Sequence, residues 1–207
     1  MKTVVIIPTY NEKENIEAIT SAIFQELSDI SILVVDDGSP DGTGAIVKSL
    51  MEKNKNIHLL ENQGKGGLGK AYLQGFAWAK ENSFDACVQM DADFSHRPID
   101  LVRLVKALPE NDFVIGSRYV EGGATSNWAW YRKLISLFGS FYSRMILGYP
   151  VHDWTGGFNG WNIRVLNKLK LNEVRSEGYS FQIEMKYRAL KNSFQVREVP
   201  IVFDERR

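Results

Sequence analysis

Ile32-Leu33-Val34-Val35-Asp36-Asp37-Gly38-Ser39-Pro40-Asp41-Gly42-Thr43 reads as a buried strand that runs straight into a polar turn. The apolar run starts at Ile30, is rich in β-branched residues and is bounded by Gly and Pro, which favours a strand over a helix. Asp41 is a good N-cap before Gly42-Thr43, and Ile46, Val47, Leu50 and Met51 then fall on one helical face. A buried strand followed by an amphipathic helix is the repeating unit of a parallel α/β sheet.

The same unit recurs outward from this stretch. Upstream, the β-branched run Thr3–Ile7 precedes Ile16, Ile19, Ile23 and Leu27 at helical spacing. Downstream, strands are predicted at Ile57–Leu60, Ala86–Met90 and Phe113–Ser117. Helices are predicted from Gly69 through Trp78 and from Pro98 through Leu108. The alternation predicts an α/β fold with a mostly parallel central sheet and helices on both faces. Ligands in such sheets gather at the carboxyl ends of the strands. After residue 120 the pattern changes: an aromatic and basic segment at 127–150, a Gly-containing loop at 153–158, a helix at 180–190, and a strand at 194–203 that Pro200 marks as an edge. The reading is one domain, 1–207, with a nucleotide-binding half (1–120) and a second, acceptor-side half (121–207).

With 207 residues, 44% hydrophobic and 24% charged, the chain is long enough for a full core, and its formal net charge of +0 does not point to nucleic acid. The single cysteine, Cys87, lies in an apolar run and reads as a core thiol. No segment has the ~18 consecutive apolar residues of a membrane span. These features predict a cytoplasmic protein, or one that touches a membrane from one side.

Three strand tips carry clustered carboxylates: Pro8-Thr9-Tyr10-Asn11-Glu12, the Asp36–Thr43 turn, and Asp91-Ala92-Asp93-Phe94-Ser95-His96. One acidic tip is usually a solvated turn. Three on one sheet edge repel one another unless a cation or a donor-rich ligand sits among them. Asp91 and Asp93 are two apart, so on an extended chain they share a face, and their hard oxygens suit Mg²⁺ or Mn²⁺. Gly64-Lys65-Gly66-Gly67-Leu68-Gly69 matches the dinucleotide pattern G-x-G-x-x-G, which keeps an NAD-dependent oxidoreductase open as an alternative. The pattern follows the third strand rather than the first, and no acidic residue ends a strand about 20 residues later. It nearly matches a P-loop too, but Ala71 stands where the metal-binding hydroxyl must be. A flexible or substrate-lining loop before a helix is the expectation.

PTYNE (8–12), DDGSPDGT (36–43), GLGKAYLQG (67–75), DADFSH (91–96), GSRY (116–119), DWTGGF (153–158) and EGYSFQIEM (177–185) run in order across nearly the whole chain. Together they resemble the inverting family 2 glycosyltransferases of GT-A fold, and among these the dolichol- or polyprenol-phosphate mannose synthases. The resemblance implies transfer of mannose from GDP-mannose to a polyprenyl or dolichyl phosphate, with a UDP-glucose enzyme as the alternative. It implies that Pro8, Tyr10, Glu12 and Asp37 hold the nucleoside, that Asp91 contacts the nucleotide-sugar, and that Asp93 and Ser95 face the metal. Arg118 and Arg132 would meet phosphate groups, Ser136 would reach the same anion, and Glu177, Tyr179 and Gln182 would line the acceptor side. Arg206 would bind the diphosphate. The family usually continues with a Gly-x-Ser-Lys segment where this sequence stops, and relatives often carry a membrane tail or a membrane-anchoring partner. The aromatic-basic segment 127–150 would then lie on the cytoplasmic face of a membrane.

Overall fold

The computed structural model describes residues 1–205, with the side chain of Arg132 left aside. Its central sheet has seven strands. Four are β1 (Thr3–Thr9), β2 (Ser31–Asp36), β3 (Ile57–Glu61) and β4 (Ala86–Gln89). The other three are β5 (Phe113–Ser117), β7 (Asn159–Asn162) and β8 (Val196–Pro200), in the order β3-β2-β1-β4-β7-β5-β8. Two short strands, β6 (Ala124–Thr125) and β9 (Val202–Phe203), pair with each other in parallel. All contacts in the large sheet are parallel except those of β7, which runs antiparallel to both β4 and β5. The expected mostly parallel sheet is therefore present, with one inverted strand in its middle. As Pro200 required, β8 is an edge.

Strand alternation assigns the two cores. Val5, Ile7, Ile32, Val34 and Val88 point to one face, covered by α1 (Ile16–Glu26), α2 (Thr43–Lys53) and α4 (Pro98–Ala107). Val4, Ile6, Leu33, Val35 and Cys87 point to the other, under α3 (Leu68–Glu81), α6 (Ile163–Lys168) and α7 (Gly178–Lys191). The remaining helix, α5 (Trp130–Leu147), packs on the loop at 153–157 instead of the sheet.

Register sets the functional edge. Thr9 pairs with Asp36 and Ile6 with Gln89, so the tips of β2, β1 and β4 end side by side. Hydrogen bonds then join the first two tips. Thr9 Oγ1 donates to Asp36 Oδ1 (2.8 Å), and the amides of Asn11, Glu12 and Lys13 donate to Ser39, Thr43 and Asp41. Asp41 does not occupy the N-cap position itself. Gly42 does, in the left-handed region at φ 94°, and Asp41 reaches past it to accept from the Thr43 amide (3.0 Å).

α3 lies flat on β1 because Gly75 has no side chain: a Cβ there would stand 2.6 Å from Ile6 Cγ2. Gly75→Ala gains helix propensity of about 1 kcal/mol. The clash with a fully buried β-branched residue outweighs it, because Ile6 has no room to move. Urea denaturation is expected to show a net loss of about 1–3 kcal/mol; an unchanged midpoint would refute this packing.

Candidate active site

A cleft of about 940 Å³ opens over the three tips, lined by Pro8, Tyr10, Glu12, Asp37, Asp91 and Asp93 among others. Residues far apart in sequence thus meet as one pocket. Its lining holds six carboxylates (Glu12, Glu14, Asp37, Asp41, Asp91, Asp93) against two lysines (Lys13, Lys65). An anionic ligand enters such a cleft only with a cation.

The Gly64–Gly69 stretch forms one wall. Asp37 holds it: Oδ2 accepts from the amides of Gly66 (2.9 Å) and Gly67 (3.1 Å), and Oδ1 accepts from Asn62 Nδ2 (2.8 Å). Asp37 therefore borders the cleft with both oxygens already engaged and shapes the pocket through the loop. From that loop Lys65 places its ammonium 4.4 Å from the centroid of the Tyr10 ring, a cation–π contact. The loop lines the cleft, as the substrate-lining reading required.

At the third tip Asp93 is buried, and its Oδ1 accepts from the Ser95 amide (3.0 Å) and hydroxyl (2.5 Å) across a turn in which Phe94 takes φ 59°. Ser95 is itself fully buried. Its hydroxyl orients Asp93, the carboxylate expected to face a metal. His96 accepts the Asp91 amide at Nδ1 (3.1 Å), which puts the ring proton on Nε2. The ring stacks on Phe158 at 4.6 Å, and burial lowers its pKa, so it is a neutral spacer under the tip. Among the described residues no three His, Cys, Asp or Glu converge on one point. The strand-tip carboxylates match the way Mg²⁺ and Mn²⁺ are held in nucleotide sites: one or two protein carboxylates, with the remaining ligands from phosphate oxygens and water. The residues present fit such an ion.

Of the residues expected on the acceptor side, Arg118, Ser136 and Gln182 meet elsewhere, around the loop at 153–157. Arg118 is buried, with Nε and Nη2 forked onto Asp153 (2.7 Å each) and Nη2 also on Thr155 Oγ1 (2.8 Å). That edge of the guanidinium, in a residue expected to meet phosphate, grips a carboxylate here. Ser136 Oγ lies 3.1 Å from Thr155 Oγ1, which joins α5 to the same cluster. Gln182 is buried and accepts from Asn159 Nδ2 (3.0 Å), while its Nε2 has no hydrogen-bond partner and faces Gly157. Glu177 and Tyr179 stand exposed at the start of α7. Arg206 and the Arg132 side chain lie outside the described residues.

Sequence reasoning missed Lys186. It is fully buried on α7 and donates to the carbonyls of Asp153 (2.8 Å), Trp154 (3.1 Å) and Gly156 (2.8 Å). Burial pulls its ammonium down to about 8, against the opposing pull of Asp153. A lysine on a helix ordinarily reads as solvated, so only its place one turn after Gln182 on the buried face gave any signal.

Residues 4–170 match the family described as Glycosyl transferase family 2. The chain belongs to that family. This glycosyltransferase is 46% identical to polyprenol monophosphomannose synthase of Mycolicibacterium smegmatis, over 99% of this chain and 78% of that protein. It is 41% identical to undecaprenyl-phosphate mannosyltransferase of Micrococcus luteus, over 100% of this chain and 85% of that one. Solved structures place the family 2 domain in the GT-A fold. Glucosyl-3-phosphoglycerate synthase from Mycobacterium tuberculosis, in complex with Mn²⁺, UDP-glucose and phosphoglyceric acid, superposes with a TM-score of 0.71 at 18% identity, over 100% of this chain and 72% of that one. Mannosyltransferase PcManGT from Pyrobaculum calidifontis, in complex with GDP-Man and Mn²⁺, gives 0.66 at 19% identity, over 99% and 56%.

Burial alone would raise the Asp153 carboxyl, but Arg118 and Lys186 bring it below the usual value. The stabilisation from that shift is present above the unfolded carboxyl value of about 4 and is lost as pH falls through the lower folded value. Asp153→Asn leaves the buried Arg118 without its carboxylate and removes one of the two carboxylates near Lys186. It is expected to cost about 3–5 kcal/mol by urea denaturation at pH 7, and to flatten the fall in stability below about pH 4. Equal stability of variant and wild type at pH 7 would rule out this role.

Proposed function

We propose that this enzyme transfers mannose from GDP-mannose to a polyprenyl or dolichyl phosphate, with inversion, at the cytoplasmic surface of a membrane. The observation that carries the reading is an acidic cleft of nucleotide size in a chain that also exposes an inverted amphipathic helix. On α5 the inward stripe is small and polar: Ser136, Gly139, Ser140 and Ser143. The outward side carries Trp130 (74% exposed), Ile135 (70%), Phe138 (69%), Phe141, Met145 and Ile146, flanked by exposed Lys133 and Arg144. A helix facing water has the opposite pattern. A lipid surface accepts the rings and methylenes, while its anionic headgroups attract the cations. No helix among the described residues is long and apolar enough to cross a membrane. The names of the two curated relatives add the lipid phosphate and the mannosyl group.

Within this reading Pro8, Tyr10 and Glu12 hold the nucleoside, and Asp37 sets the wall beside it. Asp91 and Asp93 face the diphosphate. A bound Mg²⁺ or Mn²⁺ would offset the charge that grows on the leaving nucleoside diphosphate. The acceptor phosphate has a second pKa of about 6, so it is a nucleophile at neutral pH and needs no general base. Direct attack on the anomeric carbon inverts it. Arg132 and Ser136 on α5 orient the incoming anion, and Arg118 supplies positive charge from beneath rather than a free fork. Glu177, Tyr179 and Gln182 border the sugar and acceptor, and Arg206 meets the diphosphate.

Radiolabelled nucleotide-sugars offered with a short polyprenyl phosphate test the reaction. Transfer is expected from GDP-mannose. EDTA should abolish it, and Asp93→Asn should lower it by about 10² or more. Faster transfer from UDP-glucose would overturn the choice of donor, and full activity after rigorous chelation would overturn the metal.

Co-sedimentation with anionic vesicles tests the surface. Phe141→Glu combined with Met145→Glu should release the enzyme into the supernatant. Undiminished vesicle binding would remove α5 from the interface.

A further inference from the structure

Tyr72 lies in α3 behind the cleft, with no exposed surface. Its hydroxyl donates to Asp91 Oδ1 at 3.2 Å, and among the described residues this is the one hydrogen bond that the Asp91 carboxylate receives. Phe76 and Phe181 stack beside the ring at centroid distances of 6.3 and 6.2 Å, with Phe181 only 7° from parallel. A carboxylate can only accept, so the phenol is the donor in this pair. From the other side the Asp91 amide is tied to His96 Nδ1. Backbone and carboxylate of Asp91 are therefore both tethered.

Packing alone does not call for the hydroxyl. Phe76, one turn further along α3, is equally buried in the same core without one. A phenol oxygen carried into a core is costly unless it finds a partner, and here that partner is a carboxylate on the rim of the cleft. The bracing ring arrives from the other half of the chain. The glycine at 69 eases the approach of Phe181 to Tyr72: a Cβ there would stand 3.1 Å from Phe181 Cδ2 and 3.2 Å from the Ser176 carbonyl oxygen, both tight contacts. The last glycine of the Gly64–Gly69 pattern thus admits α7 to the back of the donor site.

We propose that Tyr72 is a positioning residue: its hydroxyl, braced by Phe181, fixes the Asp91 carboxylate in the orientation that receives the nucleotide-sugar and its metal. The proposal rests on the preceding reading of Asp91 and Asp93. A carboxylate aimed before the ligand arrives loses no rotational freedom on binding, and the aim must be held by a group outside the site.

Tyr72→Phe removes the oxygen and keeps the ring. One readout needs no turnover: the rise in melting temperature given by GDP with Mn²⁺, compared with GDP in EDTA. The variant should keep the wild-type melting temperature without ligand, show the same response to GDP in EDTA, and lose most of the metal-dependent increment. In steady state kcat should fall by about tenfold to a hundredfold, the loss of one hydrogen bond to a charged group, with KM for the lipid phosphate unchanged. A wild-type increment together with a wild-type kcat overturns the proposal. If the wild type prefers another nucleoside diphosphate, the donor assignment fails, and the same comparison made with that nucleotide still decides on Tyr72. Phe181→Leu keeps the hydroxyl and removes the brace. It should lower kcat by about threefold, in line with the worth of one aromatic pair; an unchanged kcat would exclude bracing by α7.

Discussion

Beneath the loop at 153–157, Arg118, Asp153 and Lys186 are sealed from water. Charges in that position are tolerated only when paired and hydrogen-bonded, and the pairing then dictates the surrounding geometry. Asp153 takes the Arg118 fork and also the Gly156 and Arg118 amides. Lys186 takes three loop carbonyls, and Glu198 on β8 holds the His152 and Asp153 amides. One cluster thus fastens the end of β5, the start of α5, the face of α7 and the edge strand to the same five-residue loop. The inverted β7 follows directly from that loop, and its position between β4 and β5 is what brings the second half of the chain up against the first.

The acidic cleft is organised differently. The carboxylates at the strand tips converge on it. They are held apart by neutral donors: Asn62 and the Gly66 and Gly67 amides on Asp37, Ser39 and Thr9 on Asp36, Ser95 on Asp93, Tyr72 on Asp91. Neutral donors fix direction while leaving negative charge in place. That is what a site needs if it is to admit a cation and a diphosphate together.

The difference explains what could be read from sequence. Strand tips are local: a β-branched run such as Thr3–Ile7 followed by a polar turn announces both the strand and its end, so the acidic edge and the cleft residues were legible. Partners are not local. Arg118 carries the same letters whether its fork meets a phosphate or a carboxylate 35 residues away, and spacing alone does not show that the Ser95 hydroxyl donates to Asp93. β7 was hidden for a different reason. Asn159-Gly160-Trp161-Asn162 has no apolar alternation, because its polar residues are buried: Asn159 bonds to Gln182 and Trp161 to Gln89. Lys186 was hidden because helical spacing alone does not distinguish a lysine in a core from one in water.

α5 joins the two regimes. Its outward rings and methylenes cannot be explained by folding, since they bury nothing, and its inward serines cannot be explained by water, since they face Thr155 and the Arg118–Asp153 pair. A helix with small polar residues inside and large apolar ones outside has the pattern of an interfacial helix, as the proposed function requires. Small inner residues bring the helix axis close to the loop: at Gly139 a Cβ would stand 3.5 Å from Thr155 Cγ2. The helix therefore sits as near as it can to the buried cluster, with its apolar side turned away. The acceptor proposed above, apolar at one end and anionic at the other, suits a helix of this kind, because its hydrocarbon would lie along the outward face while its phosphate lay toward the polar inner side.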